Sequence, residues 1–478
     1  MTETRFLVVG AGSAGRMAVR AMRERPEARY VPVAFIDDDP AKQGTLIEGI
    51  PVAGRRDAIP RALADTGADE ILIALPSLHG GVIRDIVAVC RSLRVRFRIV
   101  PGIWEIIRGD VHIEQIRNVQ PEDLLGRESV EPDAGLLGSA YRGKRILVTG
   151  AGGSIGRELA RQALAQGPER LVLVGRGENS LFESDVDLRL EAREVPVELA
   201  LVDMRDARAL SRCLEGVRPH VVLHAAAHKH VSFMEAYPEE AVLNNVVATR
   251  RLIDGAEAVG AERLVMLSTD KAVNPRSVMG ASKRLAERLL SSRAAAGAKT
   301  RLMAVRFGNV LGSRGSVVPL FLRQIAAGGP VTVSHPEVER YFMTVKEAAM
   351  LVMHAGAHGR GGEIFILDMG EQIKILDLAR ELITLSGLRP EEDIEVVIRG
   401  LGAGEKLREE LVHEFETLAP TPLEKVQMTR SLEDRVSDTS LDALEAAARG
   451  ADRPAIRALL SELLPEAVLP PSGAPGPR

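Results

Sequence analysis

Short apolar runs alternate with amphipathic stretches from the start of the chain. Residues 6–9 (FLVV) are uniformly apolar, a glycine-rich turn follows, and residues 14–24 place apolar side chains at helical spacing. Residues 31–36 and 71–75 are further apolar runs of strand length. Unbroken apolar strands separated by helices predict βαβ units around a parallel sheet buried on both faces. The pattern lapses over 126–143 (GRESVEPDAGLLGSAYRG), polar and glycine-rich with no sustained period, which reads as a linker. At Lys144 it restarts: strand 145–148, glycine-rich turn, helix from about Ser154, strand 170–174. Further strands are predicted at 221–224, 263–268 and 302–307. The chain therefore reads as α/β, with two nucleotide-binding-type units in tandem, 1–125 and 144–465. Residues 466–478, ending in PPSGAPGPR, read as a disordered tail.

Composition narrows the class. The 478 residues hold 62 Lys and Arg against 66 Asp and Glu, a formal net charge of −4. So even a balance gives no argument for a nucleic-acid partner or an anionic membrane. Cys90 and Cys213 stand far apart without metal-ligand spacing. Neither a disulfide framework nor a metal site is predicted, and a reducing cytoplasmic compartment is expected. No apolar run reaches the ~18 residues of a membrane span, and the N-terminus enters a strand rather than a signal peptide. Aromatics are 3%, with four tyrosines: Tyr30, Tyr141, Tyr237 and Tyr341.

Two glycine loops carry the candidate chemistry. Gly10, Gly12 and Gly15 follow the first strand and open a helix. This spacing permits a tight turn, close approach to a pyrophosphate and close helix–strand packing. Asp37 lies 22 residues past Gly15, where a ribose-binding acid belongs, although Asp37-Asp38-Asp39-Pro40 also reads as a turn with a capped helix. This unit is thus a second nucleotide site or a structural or regulatory module. The second loop runs Thr149-Gly150-Ala151-Gly152-Gly153-Ser154-Ile155-Gly156. Gly150, Gly153 and Gly156 have the TGxxGxxG spacing of short-chain dehydrogenases. Four features follow in the order of those enzymes: Asp203-Met204 after the third strand, Ala225-Ala226 after the fourth, Asn245 in the next helix, and Met279-x-x-x-Lys283. The second strand ends in Gly175-Arg176, with no acid for the ribose hydroxyls and a cation suited to a 2′-phosphate. The cofactor is read as NADP or NAD, with NADP favoured.

Ser268-Thr269-Asp270-Lys271 stands where short-chain dehydrogenases put their Ser/Thr. Together with GENSLF (177–182), HAAAHKHVSFMEAYPEEAVLNN (224–245), STDKAVNPRSVMGASKR (268–284), RFGNVLGSRGSVVPLF (306–321), RYFMTVKEA (340–348), IFILDMGEQIKILDLA (364–379) and GEKLREEL (404–411), the chain resembles the polysaccharide-biosynthesis nucleotide-sugar 4,6-dehydratases. The likeness is to the large UDP-N-acetylglucosamine 4,6-dehydratase branch of the extended short-chain dehydrogenases, and covers about residues 1–465. It implies two Rossmann-like domains, the second with a smaller C-terminal substrate-binding part. Three departures stand out. The family commonly opens with membrane helices that this chain lacks, so membrane attachment is not expected. Residues 400–404 read GLGAG where the family has an Arg and a Pro. Met279 replaces the usual tyrosine, as it does in the large branch.

The resemblance implies transient oxidation at sugar carbon 4, loss of water across carbons 5 and 6, and hydride return to carbon 6. The cofactor is recycled and stays bound. Asp270 is expected as acid toward the carbon 6 hydroxyl and Lys271 as base at carbon 5. Adjacency opposes both roles, because each charge stabilises the other. Burial is expected to counter this and hold both groups neutral. Met279 accepts no proton, so Thr269 with Asp270, or a water held by Lys283, is expected to relay the carbon 4 proton. Lys283 is expected on the nicotinamide ribose. Lys229, His230, Asn309, Arg314 and Ser316 are the expected UDP-sugar contacts, with Arg340 and Glu405 as weaker candidates. A homo-oligomer is expected. The rival readings are a carbon-5-inverting dehydratase, an epimerase, or a catalytically silent nucleotide sensor.

Overall fold

The computed structural model describes residues 3–75, 80–93, 95–100, 133–191, 194–423, 425–430 and 436–471. The chain divides into two compact units, Met1–Ser129 with Thr384–Leu388, and Val130–Ile383 with Arg389–Arg478. The end of the first predicted domain at 125 and residues 126–132 of the predicted linker lie outside the described residues.

The first unit is a six-stranded sheet ordered β3-β4-β2-β1-β5-β6. These strands are β1 (Thr4–Val9), β2 (Tyr30–Ile36), β3 (Leu46–Ile47), β4 (Ile50–Gly54), β5 (Glu70–Ile73) and β6 (Arg96–Ile99). All pairs are parallel except β3 with β4. Side chains of β1 alternate between two cores, Phe6 and Val8 in one, Leu7 and Val9 in the other. That alternation is why the strand reads as unbroken apolar sequence. Helix α1 (Ser13–Glu24) leaves the end of β1. The chain goes from β1 to β2 on one side and later crosses to β5 on the other. A crevice forms at this switch point.

The second unit repeats the plan at larger scale. Its strands are β7 (Arg145–Thr149), β8 (Arg170–Gly175), β9 (Val197–Leu201), β10 (Val221–His224), β11 (Arg263–Leu267), β12 (Arg301–Arg306), β13 (Glu363–Leu367), β14 (Ala419–Pro420) and β15 (Val426–Arg430). They order as β14-β15-β13-β12-β11-β10-β7-β8-β9, parallel from β13 to β9, with β15 and β14 antiparallel at one edge.

Two expectations are corrected here. Part of the stretch read as a linker is helix α2 (Ala134–Tyr141). Asp133 caps it by accepting from Leu136 N, and Leu137, Ala140 and Tyr141 bury one face. Tyr141 is fully buried and its hydroxyl donates to Met353 O at 2.7 Å; burial pushes its phenol above the usual range. The predicted tail is docked over 466–470. Arg284 Nε pairs with Glu466 at 3.1 Å, Val468 N donates to Pro275 O at 2.9 Å, and Arg457 donates to Pro470 O at 3.0 Å. Residues 472–478 of that tail lie outside the described residues. Among the described residues, no helix is long and apolar enough to cross a membrane.

Candidate active site

Helix α3 (Ser154–Leu164) starts directly after the second glycine loop. Its N-cap is Gly153, and no side chain caps it, so its first N–H groups stay open toward the loop. Gly150 has φ +67°, and a Cβ there would lie 2.6 Å from Ala226 N. A Cβ at Gly156 would lie 2.2 Å from Gly150 O. Only glycine lets the loop close this tightly on the helix.

The loop forms one wall of a cleft of about 500 Å³, within the range of small-molecule sites. Of the predicted residues, Gly150, Gly153, Ser154, Ile155, Gly156, Ala225, Lys229, His230, Thr269, Lys271, Met279, Lys283, Asn309, Arg314 and Ser316 line it. Helix α4 (Val278–Ala295) supplies Met279 and Lys283 one turn apart on the cleft side. Lys283 Nζ donates to Leu267 O at 2.6 Å, and burial lowers its pKa to about 8. Lys229 Nζ donates to Ser313 Oγ at 3.3 Å, and burial also lowers its pKa. Helix α5 (Val317–Ala326) begins after Ser316, whose Oγ is buried without a hydrogen-bond partner.

Asp270 lies just behind the lining, fully buried. Lys271 Nζ donates to Asp270 Oδ1 at 3.0 Å and to Asn309 Oδ1 at 3.2 Å. Thr269 Oγ1 donates to the same Asp270 oxygen at 2.8 Å. Asp270 Oδ2 is buried with no hydrogen-bond partner. A Cβ at Gly308 would stand 3.2 Å from it, so glycine there leaves that oxygen room. The neutral lysine expected from sequence is corrected. Burial alone would lower the Lys271 pKa, but Asp270 and Glu409 outweigh it and hold it above the usual lysine value. Glu409 Oε1 is 3.4 Å from Lys271 Nζ. Sequence reasoning used GEKLREEL (404–411) as a family match and took Glu405 from it, without singling out Glu409.

A second network missed from sequence braces the site. Arg306, at the end of β12, is fully buried and bonds Glu287 at 2.8 Å and Glu416 at 2.8 Å. Glu287 Oε1 also accepts from Ser268 Oγ at 2.6 Å. Burial would raise the Glu287 pKa, but Arg306 and its neighbours draw it down to about 2. The cluster ties the end of β11, helix α4 and the loop around Glu416 together. His224 is clamped between Thr149 and Thr249, and burial lowers its pKa to about 3.

Other predicted residues are not on the cleft wall. Ala226 N donates to Thr149 Oγ1 beside Gly150. Asp203 is engaged by Arg205 at 2.7 Å, and Met204 is buried in the core. Asn245 bonds both N–H and carbonyl of His228, fixing that loop. Arg176 is exposed and its Nη2 lies 3.3 Å from His228 Nε2. Arg340 is buried and donates to the carbonyls of Glu339, Lys406 and Leu407, so its donors hold the chain rather than face a ligand. Glu405 is exposed and accepts from Gly402 N. None of the four tyrosines lines the cleft.

Gly10, Gly12 and Asp37 line a smaller cavity of about 240 Å³ in the first unit; Gly15 lies behind it, where a Cβ would meet Gly10 O at 1.9 Å. Among the described residues, no group of three His, Cys, Asp or Glu could hold a metal ion.

The larger cleft fits a dinucleotide: open helix N–H groups, a cradle that side chains would fill, and a buried cation in Lys283. Comparison with known proteins agrees. Residues 146–431 match the polysaccharide biosynthesis protein family, and residues 2–101 match a CoA-binding domain. The chain is 43% identical over 432 residues to the probable polysaccharide biosynthesis protein EpsC of Bacillus subtilis, covering 90% of this chain and 72% of that protein. It is 31% identical over 316 residues to UDP-N-acetylglucosamine 4,6-dehydratase (inverting) of Campylobacter jejuni, covering 64% of this chain and 89% of that one. The X-ray structure of Pen from Bacillus thuringiensis superposes with a TM-score of 0.57 at 32% identity, over 62% of this chain and 91% of that one.

Proposed function

The chain belongs to the polysaccharide biosynthesis protein family, and from that premise we propose that it is a UDP-N-acetylglucosamine 4,6-dehydratase. Its product would be UDP-4-keto-6-deoxy-N-acetylglucosamine, for surface polysaccharide or glycan synthesis. The observation that carries this reading is the Thr269–Asp270–Lys271 array at a cleft where Met279 replaces tyrosine. An epimerase needs one reversible oxidation and no acid–base pair for elimination.

When bound, the nicotinamide dinucleotide supplies the hydride acceptor and donor of the turnover. The protein's own residues move the protons. As the ion-pair partner of Lys271, Asp270 starts as a carboxylate. The carbon 4 hydroxyl gives its proton to Thr269 Oγ1 as Thr269 passes its own to Asp270 Oδ1, along the 2.8 Å hydrogen bond. The acid so formed then protonates the carbon 6 oxygen, which leaves as water. The proton lost at oxygen 4 ends in that water, as the net reaction requires. Once it has given up its own proton, Lys271 takes the carbon 5 proton and returns one to the same face, which retains configuration. Lys283 and the open N–H groups of helix α3 hold the dinucleotide. The absence of an acid at Gly175 and the exposed Arg176 beside it favour NADP.

The test is incubation with UDP-N-acetylglucosamine in heavy water, followed by mass spectrometry and NMR. The expected product has lost one water, carries one solvent deuteron at carbon 5, and keeps its configuration there. An unchanged sugar mass would sink the dehydratase reading, and inversion at carbon 5 would move it to the inverting type.

A further inference from the structure

Two protons must leave the sugar before water can depart, one from oxygen 4 and one from carbon 5. The resting Asp270–Lys271 ion pair accepts only one of them, at Asp270. A protonated Lys271 is no base, so its proton must first go to a third group. We propose that Glu409 is that group: it accepts the Lys271 proton, leaving a neutral amine for carbon 5, and gives it back when the cycle closes. This inference rests on the dehydratase reading above.

The geometry singles out Glu409. Its Oε1 is 3.4 Å from Lys271 Nζ, and its side chain is 3% exposed. Its Oε2 is buried with no hydrogen-bond partner, an open lone pair in a place where such vacancies are rare. Lys271 otherwise faces Asp270 and Asn309. Glu409 faces Arg340 and Lys406, each at 3.8 Å. Gln372 bonds its backbone on both sides, at 3.3 Å and 3.0 Å, which fixes the chain there without occupying the carboxylate. Arg340 and Lys406 stand beyond hydrogen-bond distance and favour the carboxylate form, so Glu409 holds the Lys271 proton only transiently, within the cycle.

The step balances without a co-reactant. The ammonium and carboxylate become amine and carboxylic acid. The amine takes the carbon 5 proton as the electron pair moves toward carbon 6 and that carbon's oxygen leaves with the Asp270 proton. Lys271 then returns a proton to carbon 5, and Glu409 restores the ammonium. Glu409 acts through Lys271 and touches no substrate, so it is a positioning residue in this scheme.

The experiment follows dehydration of UDP-N-acetylglucosamine by Glu409→Gln and Glu409→Asp across pH 6 to about 10, reading kcat and KM separately. Glu409→Gln should lose at least ~10²-fold in kcat at neutral pH, the usual worth of a proton-transfer partner, with KM within about twofold. Its kcat should then climb with pH, because solution takes the Lys271 proton directly. Glu409→Asp keeps a carboxylate and should stay within about tenfold of the parent, with a pH profile like the parent's. A Glu409→Gln enzyme with parental kcat and profile overturns the proposal. So does an equal loss at every pH, or an Asp variant as impaired as the Gln variant, since either is what a purely structural carboxylate would give. A parent enzyme that removes no water overturns the underlying dehydratase reading instead.

Discussion

Both units turn from strand to helix on a glycine-rich loop, yet their polar groups are used in opposite ways. In the first unit the strand-end acid is spent on the loop itself. Asp37 Oδ2 accepts from Ala11 N at 2.7 Å and Lys42 Nζ at 2.9 Å, while Oδ1 accepts from Asp39 N at 2.9 Å. Asp38 is likewise paired with Arg56. In the second unit Asp270 Oδ2, Glu409 Oε2 and Ser316 Oγ are buried with no hydrogen-bond partner, and three lysines, Lys229, Lys271 and Lys283, line the cleft. A glycine turn marks the fold. At the cleft, buried polar atoms without partners, such as Asp270 Oδ2 and Ser316 Oγ, leave room for a ligand's hydrogen bonds.

The sharpest way to break the comparison is to remove one carboxylate from each unit. Asp270→Asn keeps the shape and loses both the proton acceptor and the later acid, and Lys271→Met removes the base. Each should cost at least ~10²-fold in dehydration rate, measured by product NMR. Asp37→Asn should leave that rate within about twofold, because its carboxylate braces its own loop. A comparable loss in Asp37→Asn would mean the first unit takes part in turnover.

The glycines test the same contrast one step down. Gly156→Ala drives a Cβ toward Gly150 O, so the loop must open and helix α3 must shift away from the phosphates. The purified protein should then lose its dinucleotide, read by mass spectrometry after denaturation. At Gly15 a Cβ would lie 1.9 Å from Gly10 O. Gly15→Ala should lower the melting temperature of the first unit and leave the dinucleotide content unchanged.

The strands and both loops were legible because a strand buried on both faces is apolar along its buried stretch, as residues 6–9 of β1 and 146–148 of β7 are. The candidate site was legible at Thr269–Lys271, Met279 and Lys283, where order along the chain carries the information. It was illegible where the deciding contact comes from a distant segment. Nothing near Lys271 in sequence announces Glu409, whose charge adds to that of Asp270 in holding the Lys271 pKa above its usual value. Arg340 has the same composition signal whether it faces a phosphate or three backbone carbonyls. Helix α2 was hidden by Gly135 and Gly138, although Leu137, Ala140 and Tyr141 bury its face. Its stability comes from tertiary burial, which local propensity does not report.

A pH series tests the second unit's cleft through its buried cation. Lys283 is buried, and burial brings its pKa down to about 8. The charged form therefore holds below about pH 8 and is lost as the pH rises through it. Dinucleotide affinity, measured by calorimetry, should weaken by roughly tenfold between neutral and alkaline pH, as loss of one charge-assisted hydrogen bond implies. Lys283→Gln should bind more weakly at neutral pH and show no such slope. A slope that survives Lys283→Gln would make Lys229, the other cleft lysine whose pKa burial lowers, its carrier.

The smallest expected effect lies at the second strand end of each unit. The first unit carries Asp37 there, and the second carries Gly175 followed by Arg176. Arg176→Asp supplies an acid beside the position where Gly175 leaves none. The exposed guanidinium gives up only its 3.3 Å contact to His228, so folding should be unaffected. An exposed charge contributes at most about 1 kcal/mol, which limits the shift in NADP over NAD to roughly fivefold. Competition binding with the two dinucleotides reads this directly. A preference that moves toward NAD makes Arg176 the 2′-phosphate contact and gives the two strand ends opposite cofactor chemistries. An unmoved preference reduces Arg176 to a partner of His228, and then the difference between the units resides wholly in Asp270, Lys271 and the residues around them.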